Sequence, residues 1–243
     1  ILGASCLITP ILTKPDSMNR DILLLGGGSL LFTGFCLEGT LGVIAGIAFL
    51  IVFGAFLAFS FIRETADPEL LKEHQEELEE LEKGVPKNMF VAVALTVVGI
   101  AGLAYGADIL VAGGSEIARS FGVSEEVIGL TLFAFGTSLP ELAASVVAAF
   151  RGHPDVAIGN VIGSNIFNML LVGGVVSLVA DLPVPAQILD FDIWVMVIAT
   201  AMLMPVLLGR MKLNRSYAAL FFVLYVGYVG AQAYGVERLL AAI

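Results

Sequence analysis

Charged side chains are scarce in this chain of 243 residues, where they make up 14% of the sequence while 58% of the residues are hydrophobic. Soluble domains carry about 25% charged residues. The composition therefore excludes an ordinary soluble domain and predicts an all-α polytopic membrane protein whose surroundings are the lipid bilayer. Basic residues are outnumbered by acidic ones, 12 against 22, and this balance gives no indication of a nucleic-acid partner.

Cysteine and histidine are also rare, with two of each. Cys6 and Cys36 have no metal-binding or redox spacing, and we interpret them as packing residues. His74 and His153 both fall in predicted loops. The chain lacks an initiator methionine, a basic leader and a cleavage signature. Because it opens inside the hydrophobic run "ILGASCLITPIL", we expect that a preceding segment is missing.

Long apolar runs, by contrast, fill most of the chain. A transmembrane helix needs about 20 mostly apolar residues, and eight stretches meet or approach that length: 1–13, 21–36, 41–62, 88–114, 127–150, 155–180, 190–209 and 216–235. One hydrophilic stretch, Arg63 to Asn88, interrupts them. Within it, Asp67 and Pro68 predict the start of a short solvated helix.

These spans predict three regions along the chain. Residues 1–62 are the end of a first membrane half, 63–87 form a cytoplasmic acidic loop, and 88–243 are the second membrane half. With alternating spans, all basic residues except Arg119 and Arg238 fall at cytoplasmic ends, as the positive-inside rule requires. The cytoplasmic set is Lys14, Arg20, Arg63, Lys72, Lys83, Lys87, Arg151, Arg210, Lys212 and Arg215.

An internal repeat relates the two regions of membrane spans. At an offset of 170 residues, Ile1 aligns with Leu171, and three early spans align with three later ones. The second half has five predicted spans, so the first half is also expected to have five. An odd number of spans in each half makes the halves inverted in the membrane, as in many secondary transporters.

The most unusual segment for a membrane span is "GTSLPE", Gly136 to Glu141. A charge at the bilayer centre costs roughly 2.5–3.5 kcal/mol on insertion scales, so such a residue usually faces a cavity or a bound ion. Pro140 removes a backbone donor and disfavours helix before it, which predicts freed carbonyls lining a polar cavity. Oxygens with one carboxylate suit Ca²⁺ or Na⁺. The alternative is a proline kink whose glutamate points into water.

A second polar pattern follows in "AIGNVIGSNIFNMLLVGG". Asn160, Ser164 and Asn168 are spaced i, i+4, i+8 and form one stripe along a helix, while two glycines in GxxxG spacing allow close helix contact. Ordinary helix packing explains this pattern when it is taken alone. Directly after the GTSLPE helix, the favoured interpretation is one ion site shared with Glu141.

The segment "GTSLPELAASVVAAFRGHPDVAIGNVIGSNIFN" closely resembles the second alpha repeat of the calcium/cation antiporters, the sodium/calcium exchanger superfamily. The span order and the short acidic loop are similar to those of prokaryotic members, so the resemblance covers essentially the whole chain. It implies an inverted-repeat exchanger fold of ten transmembrane helices, of which about eight are present. The absent partner would be the N-terminal alpha repeat, which pairs with the second repeat around the ions.

The resemblance also implies roles for individual residues. Glu141 looks like the acidic calcium ligand, with the carbonyl or hydroxyl of Thr137 beside it. Ser138 and Ser164 look like sodium-site oxygens. Asn168 stands where many relatives have aspartate, which leaves sodium stoichiometry and potassium dependence open.

Asn160 lies in the family's Gly-Asn pair and completes the candidate ligand set. The implied function is secondary antiport of calcium for sodium or protons across the plasma (inner) membrane, with no cofactor. The alternatives are a cation/proton antiporter without calcium selectivity and an inactive structural paralogue. An intramembrane hydrolase with Ser138 as nucleophile is disfavoured because both histidines and nearly all lysines lie in predicted loops, so we expect no enzyme.

Overall fold

The computed structural model describes residues 1–8, 15–66, 86, 88–123, 125–209 and 213–236. Its α-helices are α1 (Leu2–Ile8), α2 (Pro15–Cys36), α3 (Val43–Ala66), α4 (Met89–Ser120), α5 (Glu125–Ile128), α6 (Ala134–Thr137), α7 (Leu139–Phe150), α8 (Pro154–Ile166), α9 (Gly173–Val179), α10 (Ile193–Leu207) and α11 (Arg215–Tyr234). Three π-helical turns cover Gly129–Phe133, Phe167–Val172 and Ile188–Asp192. Two short strands are β1 (Thr40–Leu41) and β2 (Leu182–Pro183).

Asparagine side chains cap the start of two membrane helices. Asn88 Oδ1 accepts hydrogen bonds from the backbone N–H groups of Phe90 and Val91, at 3.0 and 3.4 Å. Asn214 Oδ1 accepts one from the Tyr217 N–H at 2.9 Å. These bonds satisfy first-turn donors that have no partner inside the helix.

The described helices confirm the predicted all-α polytopic architecture. Five stretches are long and apolar enough to cross a membrane alone: Val43–Ile62, Met89–Ser120, Val156–Val179, Ile188–Leu207 and Arg215–Tyr234. The pair Thr131–Thr137 and Leu139–Phe150, bent by 50°, is long and apolar enough for a sixth crossing when its two parts are taken as one span, and Ile22–Cys36 is a shorter apolar helix. Each coincides with a predicted span. The predicted span 1–13 is described as helix from Leu2 to Ile8.

The boundary of the acidic stretch differs slightly from the prediction. Helix α3 continues to Ala66, past the expected loop start at Arg63, because nothing in its last turn breaks a helix before the Asp67-Pro68 pair. The short solvated helix predicted to start there lies outside the described residues.

Contacts between loops agree with alternating spans. Strands β1 and β2 pair antiparallel, with Thr40 opposite Pro183 and Leu41 opposite Leu182. The loop after α2 and the loop after α9 therefore lie on the same membrane face. Near the other face, Cys6 Sγ donates to the Leu213 carbonyl at 2.8 Å. Both contacts join loops or helix ends that alternation places together.

The offset of 170 residues also relates helix positions. Shifted by this offset, α1, α2 and α3 fall on 172–178, 185–206 and 213–236, close to Gly173–Val179, Ile188–Leu207 and Arg215–Tyr234. The contacts repeat as well, since α1 packs on α11 as α9 packs on α3, while α2 packs on α10. The fold is thus built from inverted repeats.

Glycines bring the backbones together at both of these equivalent crossings. A Cβ atom on Gly3 would lie 3.0 Å from the Ala218 carbonyl oxygen, and one on Gly46 would lie 2.8 Å from the Gly174 carbonyl oxygen. Cys6 and Cys36 are both buried, as the packing interpretation requires. Helix α4 lies at the periphery, where Ser115 is its only buried residue, and it contacts α6 and α7.

Candidate ion-binding site

The sixth crossing is broken at Ser138, between α6 and α7. Ser138 has φ −92° and ψ 0°, a sparsely populated backbone conformation, and its N–H bonds the Phe135 carbonyl at 3.1 Å. Pro140 has no N–H, so the Gly136 carbonyl cannot receive the usual i+4 hydrogen bond. The predicted break is therefore present, and the Gly136 carbonyl has lost its helical donor, although it and the Phe135 carbonyl both face the Ser138 N–H.

The two helix ends at this bend have opposite partial charges. Carbonyl oxygens at the end of α6 are electronegative, whereas the N–H groups at the start of α7 are electropositive. Thr137 is exposed at the end of α6, and its hydroxyl donates to the Ala134 carbonyl at 3.0 Å. Glu141 lies in the first turn of α7, where the helix dipole favours a carboxylate.

Glu141 carries the polar atom that most strongly points to a ligand. The side chain is half-buried, its Oε2 is buried, and this atom has no hydrogen-bond partner among the described residues. An unpaired buried carboxylate oxygen is costly. A bound cation or a proton at this atom would remove that cost, so the donor chemistry fits a cation.

Asn160 connects α8 to the helix that carries Glu141. Its Nδ2 donates to the Glu141 backbone carbonyl at 3.2 Å and to Ser145 Oγ at 3.0 Å. Ser145 is fully buried. The structure thus brings one end of the predicted polar stripe against the GTSLPE helix, through the backbone of Glu141 rather than through its carboxylate.

The other candidates are arranged differently. Half-buried Ser138 lies at the bend itself. Ser164 is half-buried and donates to the Val161 carbonyl in its own helix at 3.1 Å. Asn168 is exposed in the π-helical turn Phe167–Val172. Within the described parts of the chain, neither Ser164 nor Asn168 hydrogen-bonds Glu141.

The negative charge at this site comes from one side chain. Across the described residues there is no group of three or more His, Cys, Asp or Glu side chains that could hold a metal ion. Ca²⁺ takes six to eight oxygen ligands, more than the oxygens gathered around Glu141 provide. The described residues around Glu141 therefore do not provide a complete set of calcium ligands.

A second polar network, which sequence spacing did not reveal, joins the start of the Ile188–Leu207 crossing to α11. The carboxylate of Asp192 accepts hydrogen bonds from Tyr228 Oη at 3.1 Å, from Gln187 Nε2 at 3.4 Å and from Gln232 Nε2. Gln187 Nε2 also donates to Gln232 Oε1 at 2.7 Å. The sequence does carry one signal for this network, which is the polar Gln232 one turn after Tyr228 in an otherwise apolar helix. Each of these donors bonds to another member of the network. The network therefore holds the start of the Ile188–Leu207 crossing against α11.

The loop after α4 is closed by an exposed ion pair. Arg119 Nε and a terminal guanidinium nitrogen donate to the two carboxylate oxygens of Glu125, at 2.6 and 2.9 Å. The hydrogen bond from Arg119, followed by its charge, lowers the pKa of the Glu125 carboxyl. Since both side chains are mostly exposed, water screens the pair and its contribution to stability is small.

This chain is similar in sequence to proteins that are already known. Residues 91–234 match the family described as "Sodium/calcium exchanger protein". A putative antiporter, CaxA of Alkalimonas amylolytica, is 36% identical over 234 residues, which cover 94% of this chain and 72% of the relative. The sodium/calcium exchanger MaX1 of Methanosarcina acetivorans is 41% identical over 108 residues, which cover 44% of this chain and 31% of that protein.

The fold itself is similar to solved structures. A sodium/calcium exchanger from Methanococcus jannaschii superimposes with a TM-score of 0.71 at 29% sequence identity. The match covers 95% of this chain and 70% of the exchanger chain. The inverted-repeat arrangement of helices is therefore shared over nearly the whole of this sequence.

Proposed function

Because the chain belongs to the sodium/calcium exchanger protein family, we propose that it exchanges calcium for sodium or protons across the plasma membrane at a site around Glu141. The family and the fold are those of multi-pass cation antiporters rather than of enzymes. The observation that carries the proposal is the buried Oε2 of Glu141, which has no hydrogen-bond partner among the described residues. It lies beside the bend of a broken membrane span.

In this proposal the two cargo ions occupy the same oxygens in turn. The carboxylate of Glu141 neutralises part of the cation charge, and the carbonyls at the end of α6 add dipoles of the right sign. Thr137 and Ser138 provide further oxygens at the bend, with Ser164 and Asn168 contributing from α8 and the turn after it. Since one ion must leave before the other binds, the two fluxes are coupled without ATP, and rearrangement of the helices gives alternating access.

The remaining ligands, in this proposal, come from an N-terminal alpha repeat that is the inverted counterpart of residues 88–170. Two considerations support this. The internal offset relates α1, α2 and α3 to later helices, and the single carboxylate of Glu141 falls short of the charge and oxygen number that Ca²⁺ prefers. A second acidic residue facing Glu141 would meet both needs.

One observation favours a second candidate, an antiporter of sodium or another cation for protons. In the part of the chain that the structure describes, no acidic cluster accompanies Glu141. A single carboxylate matches a monovalent cation or a proton better than a divalent ion. The two candidates differ in whether calcium moves.

Replacing Glu141 tests both candidates. We expect Glu141→Gln to abolish exchange, because the amide keeps the size of the side chain but removes its negative charge. The measurement is labelled-calcium uptake into vesicles loaded with sodium or at low pH, with labelled sodium as the second cargo. Uptake of sodium without calcium in the unsubstituted protein would identify the second candidate.

The matched control is Glu125→Gln, which removes an exposed carboxylate paired with Arg119. It should leave exchange near the unsubstituted level, since Glu125 lies outside the site. Near-normal exchange by Glu141→Gln, with insertion confirmed, would remove Glu141 from the mechanism.

A further inference from the structure

Asn160 is the candidate ligand whose contacts in the structure suggest a different role. Its amide nitrogen donates to two successive turns of α7, at the Glu141 carbonyl and at Ser145 Oγ. Each of the two N–H hydrogens of the amide has an acceptor, so the donor capacity of the amide nitrogen is fully used between the helices. The contact reaches the backbone of Glu141 and leaves its Oε2 unpaired.

The orientation of the Asn160 amide follows from chemistry. A backbone carbonyl can only accept a hydrogen bond, so the atom that faces the Glu141 carbonyl must be the amide nitrogen. Ser145 is fully buried, and its hydroxyl oxygen faces the same nitrogen at 3.0 Å. Asn160 therefore faces α7 with its N–H donors, and an N–H donor does not bind a cation.

We propose that Asn160 and Ser145 form a clamp between α8 and α7 that positions Glu141, and that Asn160 acts as a hydrogen-bond donor rather than as an ion ligand. The clamp rests on the proposed function only in that Glu141 is taken as the cargo-binding carboxylate. It fixes the first turn of α7 against α8, and so sets where the carboxylate enters the site. Loss of the clamp displaces Glu141 for every cargo ion alike.

The first test measures the clamp without transport. A double-mutant cycle compares four purified proteins in detergent: the unsubstituted protein, Ser145→Ala, Asn160→Ala and the double variant. The quantity measured is the temperature of thermal unfolding. We expect the double variant to unfold at nearly the same temperature as Asn160→Ala, because the second substitution removes a bond already lost. The control pair is Asn165→Ala with Ser145→Ala. Asn165 Nδ2 donates to Val161 in its own helix, so those two effects should add. Additive losses for Asn160 and Ser145 would overturn the clamp.

The second test separates a donor from a ligand. Ser145→Ala, which leaves the candidate ligand oxygens in place, should raise the KM for calcium and for sodium by a similar factor, about fivefold each, the effect of one neutral hydrogen bond. Asn160→Asp keeps a side-chain oxygen but removes the amide donor, and it should raise both KM values at least as much. Unchanged or tighter calcium affinity in Asn160→Asp would identify Asn160 as a ligand and overturn the proposal.

Failure of the proposed function can be told apart from failure of the clamp. If neither the unsubstituted protein nor any variant moves either ion, the proposed function fails, while the unfolding cycle still tests the clamp.

Discussion

At the scale of single residues, Gly136 determines how closely α4 can approach the broken span. Gly136 is buried, and a Cβ atom built on it would overlap Cγ2 of Val111 in α4. The β-branched side chain of Val111 has one strongly preferred rotamer in a helix, so it cannot move aside at low cost. Glycine at this position therefore allows peripheral α4 to rest against the bend.

We expect Gly136→Ala to destabilise the protein by about 1–3 kcal/mol, as overpacking in a well-packed interior does. The added Val111→Ala substitution should restore most of the loss, because it removes the methyl group that the new Cβ meets. Thermal unfolding of the two single variants and the double variant checks this. If Val111→Ala gives no rescue, the contact with α4 is not the reason for glycine at this position.

Residues also show what sequence spacing predicts and what it leaves out. A break near Pro140 was predictable because proline lacks an N–H and disfavours helix at the residue before it, but the structure places the break one residue earlier, at Ser138. The partner of Asn160 was not predictable, because helical spacing identifies a face but not the helix that this face contacts. The burial of Ser145 beside Asn160 depends in the same way on tertiary packing.

At the scale of helices, the crossing of α3 and α9 depends on direct backbone contact. A Cβ atom on Gly46 would lie 2.8 Å from the Gly174 carbonyl oxygen and 3.0 Å from the Leu178 backbone nitrogen. Backbone atoms cannot rotate away as a flexible side chain can. Since lipid gives little hydrophobic drive for helix association, close packing at small residues stabilises such crossings.

Gly46→Ala should therefore separate α3 from α9 and lower stability by about 1–3 kcal/mol. Gly54→Ala is the matched control on the same helix, because a Cβ atom there meets no atom within 4 Å. It should be neutral or slightly stabilising, given the better helix propensity of alanine. Comparison of the two unfolding temperatures in detergent checks the prediction, and equal losses from both substitutions would contradict it.

Helix positions were largely predictable, but their irregularities were not. The crossings could be located from the length of the apolar stretches. A lipid-embedded backbone must satisfy its own hydrogen bonds, so each crossing is a helix of about 20 mostly apolar residues. The π-helical turns at Gly129–Phe133, Phe167–Val172 and Ile188–Asp192 left no such signal, since they follow from local packing. The network around Asp192 was missed for a different reason, because its partners Tyr228 and Gln232 are distant in sequence.

At the scale of the whole molecule, pairing between loops determines which ends of the crossings share a membrane face. Strands β1 and β2 bring together the loop after α2 and the loop after α9. Glu38 and Asp181 are exposed in these two loops, whereas Arg151 is exposed in the turn between α7 and α8. Alternating crossings place that turn on the opposite face.

The distribution of lysine and arginine predicts which of the two faces is cytoplasmic. Positively charged loops stay inside, so Arg151 should be cytoplasmic, and Glu38 and Asp181 should face outward. In intact cells, a membrane-impermeant maleimide should label Glu38→Cys and Asp181→Cys, but should label Arg151→Cys only after permeabilisation. The native Cys6 and Cys36 are buried and should give little background. Opposite accessibility of Glu38→Cys and Asp181→Cys would contradict the strand pairing, whereas exchange of all three results would preserve the fold and reverse its orientation.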